Sequence, residues 1–285
     1  MASMAEHVSI APRASETLTL MYFAFCGAWV LLRPWRKSAR VNVLLFSLLG
    51  IGSLGAVGVI ASLLSPLTVS VIRDWLPCGL MLLAYWQAGC FRNSPARNLQ
   101  ARLLKTDEAI GRLLPRIGIQ TWLGACFLIY LECSYLLYYP LVPLGLGVLY
   151  MRHMARHVDQ FWLSVLPATY LCCWLSALFQ TLPPRMLRDD QDQWPPGSGV
   201  RSLNLWILRR ASIGLNTFPS AHVAASVSAS LALLRFFPTA GFVFLLVASS
   251  IAIASVVCRY HYTADALLGV LLACASCIAA GKYCG

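Results

Sequence analysis

The chain has 285 residues, of which 59% are hydrophobic and 12% are charged, and its mean hydropathy is +0.68. Soluble domains carry about 25% charged residues, so this composition excludes an ordinary soluble protein and predicts an all-α polytopic membrane protein. The formal net charge of +11 is explained by basic loops beside membrane spans or by binding of anionic lipid and phosphate. Nucleic acid is not an expected partner, because the basic residues are scattered among apolar segments.

Eight apolar runs predict membrane-spanning helices. They lie at residues 17–32, 41–64, 69–91, 122–150, 161–180, 223–237, 241–257 and 262–280. The first run is shorter than the roughly 20 residues that cross a bilayer, and a signal peptide is its alternative interpretation. A basic segment, residues 33–37, follows it without a small-residue cleavage pattern, which favours an anchored helix end. In the fourth run, Pro140 and Pro143 predict a kink.

Charged residues interrupt two of these runs. Arg73 and Asp74, near the start of the third run, predict an ion pair at the membrane interface. Glu132 lies inside the fourth run, where a carboxylate is costly unless it is paired or protonated. It is interpreted either as a structural hydrogen-bonding group between helices or as part of a polar substrate cavity.

Two long polar segments separate some of the apolar runs. In residues 93–120, leucines recur at helical spacing among arginines and lysine, which predicts a basic amphipathic helix on the membrane surface. Residues 181–219 hold several arginines and form the longest polar segment between runs. We expect an N-terminal arm with accessory spans in residues 1–68, and a membrane-embedded catalytic domain with a six-helix core in residues 69–285.

Two histidines stand where an apolar run meets a polar segment. His222 ends residues 217–222 (Thr-Phe-Pro-Ser-Ala-His), and His261 lies within residues 259–265 (Arg-Tyr-His-Tyr-Thr-Ala-Asp). His261 and Asp265 are four residues apart, so on a helix they would share one face. A carboxylate there accepts the imidazole N–H, fixes the tautomer and leaves the other ring nitrogen as a base or nucleophile.

An arginine-rich loop between two helices that begin with histidines predicts a phosphate-ester site. Arginine binds phosphoryl oxygens bidentately, and helix N-termini add N–H donors. One histidine can attack phosphorus while the other protonates the leaving alcohol. Neither a metal nor another cofactor is then needed, because the arginines stabilise the charge. We therefore interpret residues 181–219 as a phosphate-binding loop.

Three alternatives remain open at this point. The acidic residues 189–192 (Asp-Asp-Gln-Asp) are a weak magnesium candidate, for which a solvated loop is the better interpretation. A zinc site would have His222, His261 and Asp265 as its three ligands. A non-enzymatic transporter for an anionic solute would use the arginines and Glu132 along its pathway.

The motifs resemble those of the type-2 phosphatidic acid phosphatase superfamily. Residues 218–222 (Phe-Pro-Ser-Ala-His) are similar to its central Pro-Ser-Gly-His motif, and residues 261–265 are similar to its last motif, His-x-x-x-Asp. Residues 181–185 (Thr-Leu-Pro-Pro-Arg) stand in the place of the first motif. The Pro-Pro-Arg and His-Tyr-x-x-Asp forms are most similar to the inositol phosphorylceramide synthase branch, with the sphingomyelin synthases as relatives. The resemblance covers residues 161–280 well and the earlier spans loosely.

The resemblance implies a lipid phosphatase or phosphotransferase that acts through a phosphohistidine. His261 would be the nucleophile and Asp265 would orient it. His222 would be the acid for the leaving group and then the base for water or an acceptor alcohol. The phosphate would be bound by Ser220 and Arg185. The expected partners are a lipid phosphate or phospholipid substrate, an alcohol acceptor and membrane lipids.

The chain departs from the superfamily pattern at two positions. The lysine of the first motif is missing from residues 181–222, and Ser255 stands where an arginine is expected six residues before the last histidine. Arg259, Arg210 and Arg209 are the candidate replacements for phosphate binding, and we assign Arg210 and Arg259 to it. The missing arginine favours the transferase branch over a plain phosphatase.

Two features of the chain give opposite answers for the side of the membrane on which the site lies. Simple alternation of eight spans places residues 33–40, 93–120 and 181–218, together with Arg259, on one face. The positive-inside rule assigns this basic face to the cytoplasm, whereas the resemblance implies the non-cytoplasmic face, which we adopt as the expectation.

Overall fold

The computed structural model describes residues 11–91, 96–113, 121–187, 199–215 and 218–284. Regular structure in these ranges consists of eleven α-helices and two short 3-10 turns, at Ala155–His157 and Pro184–Met186. The helices are α1 (Ala14–Leu32), α2 (Lys37–Ile60), α3 (Pro66–Ala88), α4 (Arg97–Leu113), α5 (Trp122–Leu136), α6 (Tyr138–Met151), α7 (Val158–Leu178), α8 (Gly199–Ala211), α9 (Ala221–Phe236), α10 (Pro238–Val257) and α11 (Thr263–Cys284).

Six helices in the described part of the chain are long and apolar enough to cross a membrane: α1, α2, α3, α7 with the turn before it, α10 and α11. Helices α5 and α6 together form a seventh candidate, and α9 is apolar but has 16 residues. All eight predicted runs are thus helical. The chain is an integral, multi-pass membrane protein of all-α architecture, as its composition predicts.

The break in the fourth run corrects the sequence prediction of a kink at Pro140 and Pro143. Helices α5 and α6 meet at Leu137 with a bend of 57°. Pro140 therefore falls in the first turn of α6, where a missing N–H costs no helical hydrogen bond. Pro143 lies inside α6. Pro140 therefore follows the break and lies in the first turn of the new helix, which begins at Tyr138.

Helix α9 lies at the centre of the bundle and packs against α6, α7, α10 and α11. Small residues let these helices approach closely, as is typical of membrane bundles. A Cβ added at Gly269 of α11 would lie 2.8 Å from the carbonyl oxygen of Ser220, at the start of α9. Only glycine fits this contact, so Gly269 brings the N-terminal ends of α9 and α11 together.

A cluster of ion pairs joins α1 to α3 and corrects the predicted Arg73–Asp74 pair. Arg73 pairs with Glu16 of α1 at 2.6 Å, while Asp74 pairs with Arg13, just before α1. Consecutive side chains on a helix point about 100° apart and do not face each other, which explains the exchange of partners. The hydroxyl of Tyr150, at the far end of α6, also donates to Asp74.

Helix α4 covers part of the predicted amphipathic segment, residues 93–120. It contacts the bundle through two side chains: Asp107 accepts a hydrogen bond from the N–H of Thr263 at 2.9 Å, and Gln100 accepts one from Leu182 at 3.1 Å. Partial burial raises the pKa of the Asp107 carboxyl. Helix α4 thus caps α11 and holds the loop that follows α7.

Candidate active site

A pocket that is partly open to the outside contains both motif histidines. The ring centroids of His222 and His261 are 5.4 Å apart, and the two rings are tilted by 54°. Both side chains are buried, with 8% and 5% of their surface exposed. In the described part of the chain the pocket is lined by Tyr85, Tyr135, Arg185, Leu208, Ser212, Leu215, His222, Tyr260 and His261.

His222 is positioned by the N-terminus of α9. Ser220 is the N-cap, and its hydroxyl oxygen accepts from the N–H of Val223 at 3.4 Å. The N–H of Ser220 donates to the carbonyl oxygen of Asp265 at 3.0 Å, which joins α9 to the start of α11. Ser220, assigned to phosphate binding from the sequence, is fully buried in this capping position and is not among the lining residues.

His261 lies in a turn between α10 and α11. The chain reverses through Arg259, which has a φ of 60°, and the N–H of His261 then donates to the carbonyl oxygen of Ser255 at 2.8 Å. A left-handed residue after a helix is a common way to end it, although glycine is the usual choice. Helix α10 therefore ends in a turn that is fixed by main-chain hydrogen bonds.

Asp265 lies beside His261, but for a different reason from the predicted shared helix face. Helix α11 begins at Thr263, so His261 precedes the helix. The Asp265 carboxylate instead turns back over the helix N-terminus, where Oδ2 accepts from the N–H of Tyr262 at 3.0 Å. The same oxygen is 3.5 Å from Nδ1 of His261. Nδ1 therefore faces the carboxylate.

The surroundings of His261 favour its neutral form. Burial, followed by the nearby positive charge of Arg185, lowers the pKa of His261 to about 3. Oδ2 of Asp265 is 3.5 Å from Nδ1, which is longer than a normal hydrogen bond. A neutral imidazole keeps a lone pair, which a nucleophile or base requires.

The lowered pKa of His261 predicts that kcat/KM stays high at acid pH values where an ordinary histidine would already be protonated. If neutral His261 is the reacting form, its protonation should not reduce kcat/KM as the pH falls through 6.5, because the lowered pKa keeps the ring neutral. Arg185→Gln removes one cause of the shift and should move the acid limb to higher pH. A phosphodiester substrate should be used, since it does not titrate in this range. An acid limb near pH 6.5 in both proteins would contradict the assignment.

Of the three arginines assigned to phosphate binding, Arg185 alone lines the pocket in the described part of the chain. Its main-chain N–H donates to the carbonyl oxygen of Arg259 at 3.1 Å, and its guanidinium lies 5.6 Å from the ring centroid of Tyr260. Arg259 is half-buried in the turn before His261. Arg210 is exposed on α8, with its guanidinium 4.8 Å from the ring centroid of Trp206.

Glu132 is fully buried and accepts hydrogen bonds from three side chains. The donors are Nη1 of Arg201 at 2.7 Å, the hydroxyl of Tyr260 at 2.6 Å, and Nδ2 of Asn204. Arg201 also donates to the carbonyl oxygen of Cys258 at 3.0 Å. The network joins α5 and α8 to the turn that carries His261. Of the two interpretations of Glu132, the structure shows the hydrogen bond between helices.

The sequence interpretation missed the aromatic wall of the pocket, which is formed by Tyr85, Tyr135 and Tyr260. The Tyr135 ring stacks on the Tyr260 ring at 4.0 Å and lies 5.9 Å from the His222 ring. Tyr85 and Tyr260 lie near the ends of apolar runs, where tyrosine is expected at a membrane interface in any case. Tyr135 lies in the middle of the fourth run, where an aromatic residue is expected as part of the packing. The one usable signal was that Tyr260 directly precedes His261.

The sequence contains two candidate sets of metal ligands, one in residues 189–192 and one formed by His222, His261 and Asp265. Among the described residues, no group of three His, Cys, Asp or Glu side chains is arranged to hold a metal ion. The acidic residues 189–192 lie outside the described ranges.

Fold and pocket together define a multi-pass membrane protein with two buried histidines and an arginine in one pocket. Residues 102–279 match the family model of the PAP2 superfamily, and the chain belongs to that superfamily. Membership supports a phosphatase- or phosphotransferase-type function on lipid phosphates in general. No curated protein and no solved structure matches the chain.

Proposed function

We propose that the chain is a metal-independent lipid phosphatase or phosphotransferase that acts through a phosphohistidine at His261. The observation that carries the proposal is the position of His222 and His261, 5.4 Å apart in one pocket beside Arg185. This separation lets one ring contact phosphorus while the other contacts the leaving oxygen. Asp265, on the Nδ1 side of His261, leaves Nε2 as the attacking atom.

The proposed reaction has two steps. First, Nε2 of His261 attacks phosphorus, the N–P bond forms, and the bond to the leaving oxygen breaks while His222, which takes up a proton when the anionic ester binds beside it, gives that proton to the leaving oxygen. Second, the now neutral His222 takes a proton from water or an acceptor alcohol, whose oxygen attacks phosphorus and releases His261. Arg185 stabilises the negative charge on the phosphoryl oxygens in both steps.

The charge of the pocket supports a phospholipid as the donor. Arg185 is the single cationic side chain that lines it in the described part of the chain. One guanidinium balances the single negative charge of a phosphodiester, whereas a phosphomonoester or a diphosphate carries more. This agrees with the transferase branch to which the motifs are most similar, and we propose transfer to an alcohol acceptor as the main reaction.

The test is an assay of purified protein with a panel of lipid phosphates and phospholipids, with and without inositol as acceptor, that measures free phosphate and new lipids. We expect turnover of at least one phospholipid, and new lipid when an acceptor alcohol is present. Turnover limited to lipid phosphates would favour a phosphatase. Uptake of an anionic solute into vesicles without any turnover would favour the transporter.

We also propose that the active site faces the non-cytoplasmic side, which rests on the family resemblance alone. Thiol labelling of single cysteines at Ser38 and Gln100 with an impermeant reagent tests it in intact cells that produce a variant without reactive native cysteines. Protection of both positions would place the chemistry in the cytoplasm.

A further inference from the structure

We propose that the hydroxyl of Tyr135 donates a hydrogen bond to a phosphoryl oxygen of the substrate, beside Arg185. The proposal rests on the proposed function, because it takes the ligand between His222 and His261 to be a phosphate ester. It adds a neutral donor to the pocket, which Ser220, the neutral donor expected from the sequence, does not line.

The ring of Tyr135 is held in one orientation. It is 1% exposed, and it stacks on the ring of Tyr260 with an interplanar angle of 17° and on that of His222 with an angle of 19°. Tyr260 is itself fixed by its hydrogen bond to Glu132. The direction of the Tyr135 hydroxyl is therefore set by packing before any ligand binds.

The hydroxyl of Tyr135 has no hydrogen-bond partner among the described residues, although the residue lines the pocket. The other two tyrosines of the wall differ in this respect. The Tyr85 hydroxyl bonds to Ser212 at 3.3 Å and accepts from Ile213 at 3.2 Å, and the Tyr260 hydroxyl donates to Glu132. A tyrosine hydroxyl in a binding pocket normally finds a hydrogen-bond partner. The Tyr135 hydroxyl is therefore available to a molecule in the pocket.

A phosphoryl oxygen fits this donor by charge and by position. The phenol O–H is neutral, so it adds a hydrogen bond without adding positive charge to that of Arg185. This suits a phosphodiester, whose two non-bridging oxygens share one negative charge. Tyr135 also stacks on the His222 ring, which places it beside the position that we propose for the phosphorus.

The experiment compares Tyr135→Phe with Tyr130→Phe in the full-length protein. Tyr130 is on the same helix, and its hydroxyl contacts Ser250 at 2.6 Å outside the pocket lining. Binding of orthovanadate, an analogue of phosphate, is measured by calorimetry, together with kcat/KM for the best substrate and the melting temperature. We expect Tyr135→Phe to weaken orthovanadate binding and kcat/KM by about 10- to 100-fold, and Tyr130→Phe to leave both within about twofold.

The melting temperature separates ligand binding from packing. Phenylalanine keeps the ring and removes a hydroxyl that has no described partner, so Tyr135→Phe should melt no lower than the unmodified protein without ligand. A lower melting temperature together with the lost binding would assign a packing role and overturn the proposal.

The remaining outcomes distinguish this proposal from the proposed function. Unchanged orthovanadate binding and kcat/KM in Tyr135→Phe, with His261→Ala inactive, would overturn the role of Tyr135 and leave the proposed function standing. An unmodified protein that neither binds orthovanadate nor turns over any lipid of the panel would overturn both.

Discussion

Replacing His261 by alanine is expected to lower turnover of the best lipid substrate by roughly 10³-fold or more, because the attacking nitrogen is lost. The side chain is almost completely buried, yet in the described part of the chain its Nδ1 makes no hydrogen bond, and the turn is fixed by the main-chain N–H of His261. The variant should therefore remain folded. Initial rates and a melting curve measure the two expectations, and phosphate should no longer label the protein after an alkaline quench.

His157→Ala is the matched control for this substitution. His157 lies before α7, where its Nδ1 is 3.0 Å from Oε1 of Gln160 and its ring stacks on Phe236, at the far end of α9 from His222. Its replacement should leave turnover unchanged, as should a metal chelator added to the unmodified protein. Substantial activity in His261→Ala, or loss of activity on chelation, would rule out the phosphohistidine mechanism.

Replacing Glu132 by alanine is expected to destabilise the protein by about 3–5 kcal/mol, the usual cost of removing one partner of a buried ion pair. Arg201, whose side chain is 10% exposed, would lose its ion pair with this carboxylate. The hydroxyl of Tyr260 would lose its acceptor as well. The measurement is the melting temperature in detergent, which should fall markedly.

Two further variants separate the charge of Glu132 from its hydrogen bonds. Glu132→Gln keeps an acceptor for Tyr260 and should cost less than the alanine variant. The double variant Glu132→Ala with Arg201→Ala should cost less than the sum of the two single changes, because the two side chains interact directly. Additive losses, or an unchanged melting temperature in Glu132→Ala, would show that the pair does not act as a unit.

The helical, membrane-spanning character of the chain is predictable from the sequence, because a bilayer forces every spanning segment to bond its own main chain and to be apolar along its length. The break at Leu137 was less predictable. A proline in a long apolar run is compatible with a kink within one helix or with the first turn of a new one. Pro140 takes the second role, which depends on the packing of α6 against its neighbours.

The motif residues of the site were found because histidines at the ends of apolar runs are chemically conspicuous. The structure brings His222, His261 and Arg185 into one pocket. It leaves Arg210 on the surface of α8, because adjacent helical residues point in different directions and the sequence does not tell which direction faces the site. The sequence does not single out Tyr135, because its stacking partners come from distant parts of the chain and only the fold brings them together.

The hydrogen bond between the main chains of Ser220 and Asp265 affects which substitutions the pocket can accept while keeping its geometry. Together with the close approach at Gly269, it sets the distance between the two helix ends that flank the histidines through main-chain atoms. The reacting geometry is therefore preorganised and does not depend on which rotamers the outer side chains adopt. Lipid-facing residues can diverge, and the protein can adapt to membranes of different composition, while the histidines keep their spacing.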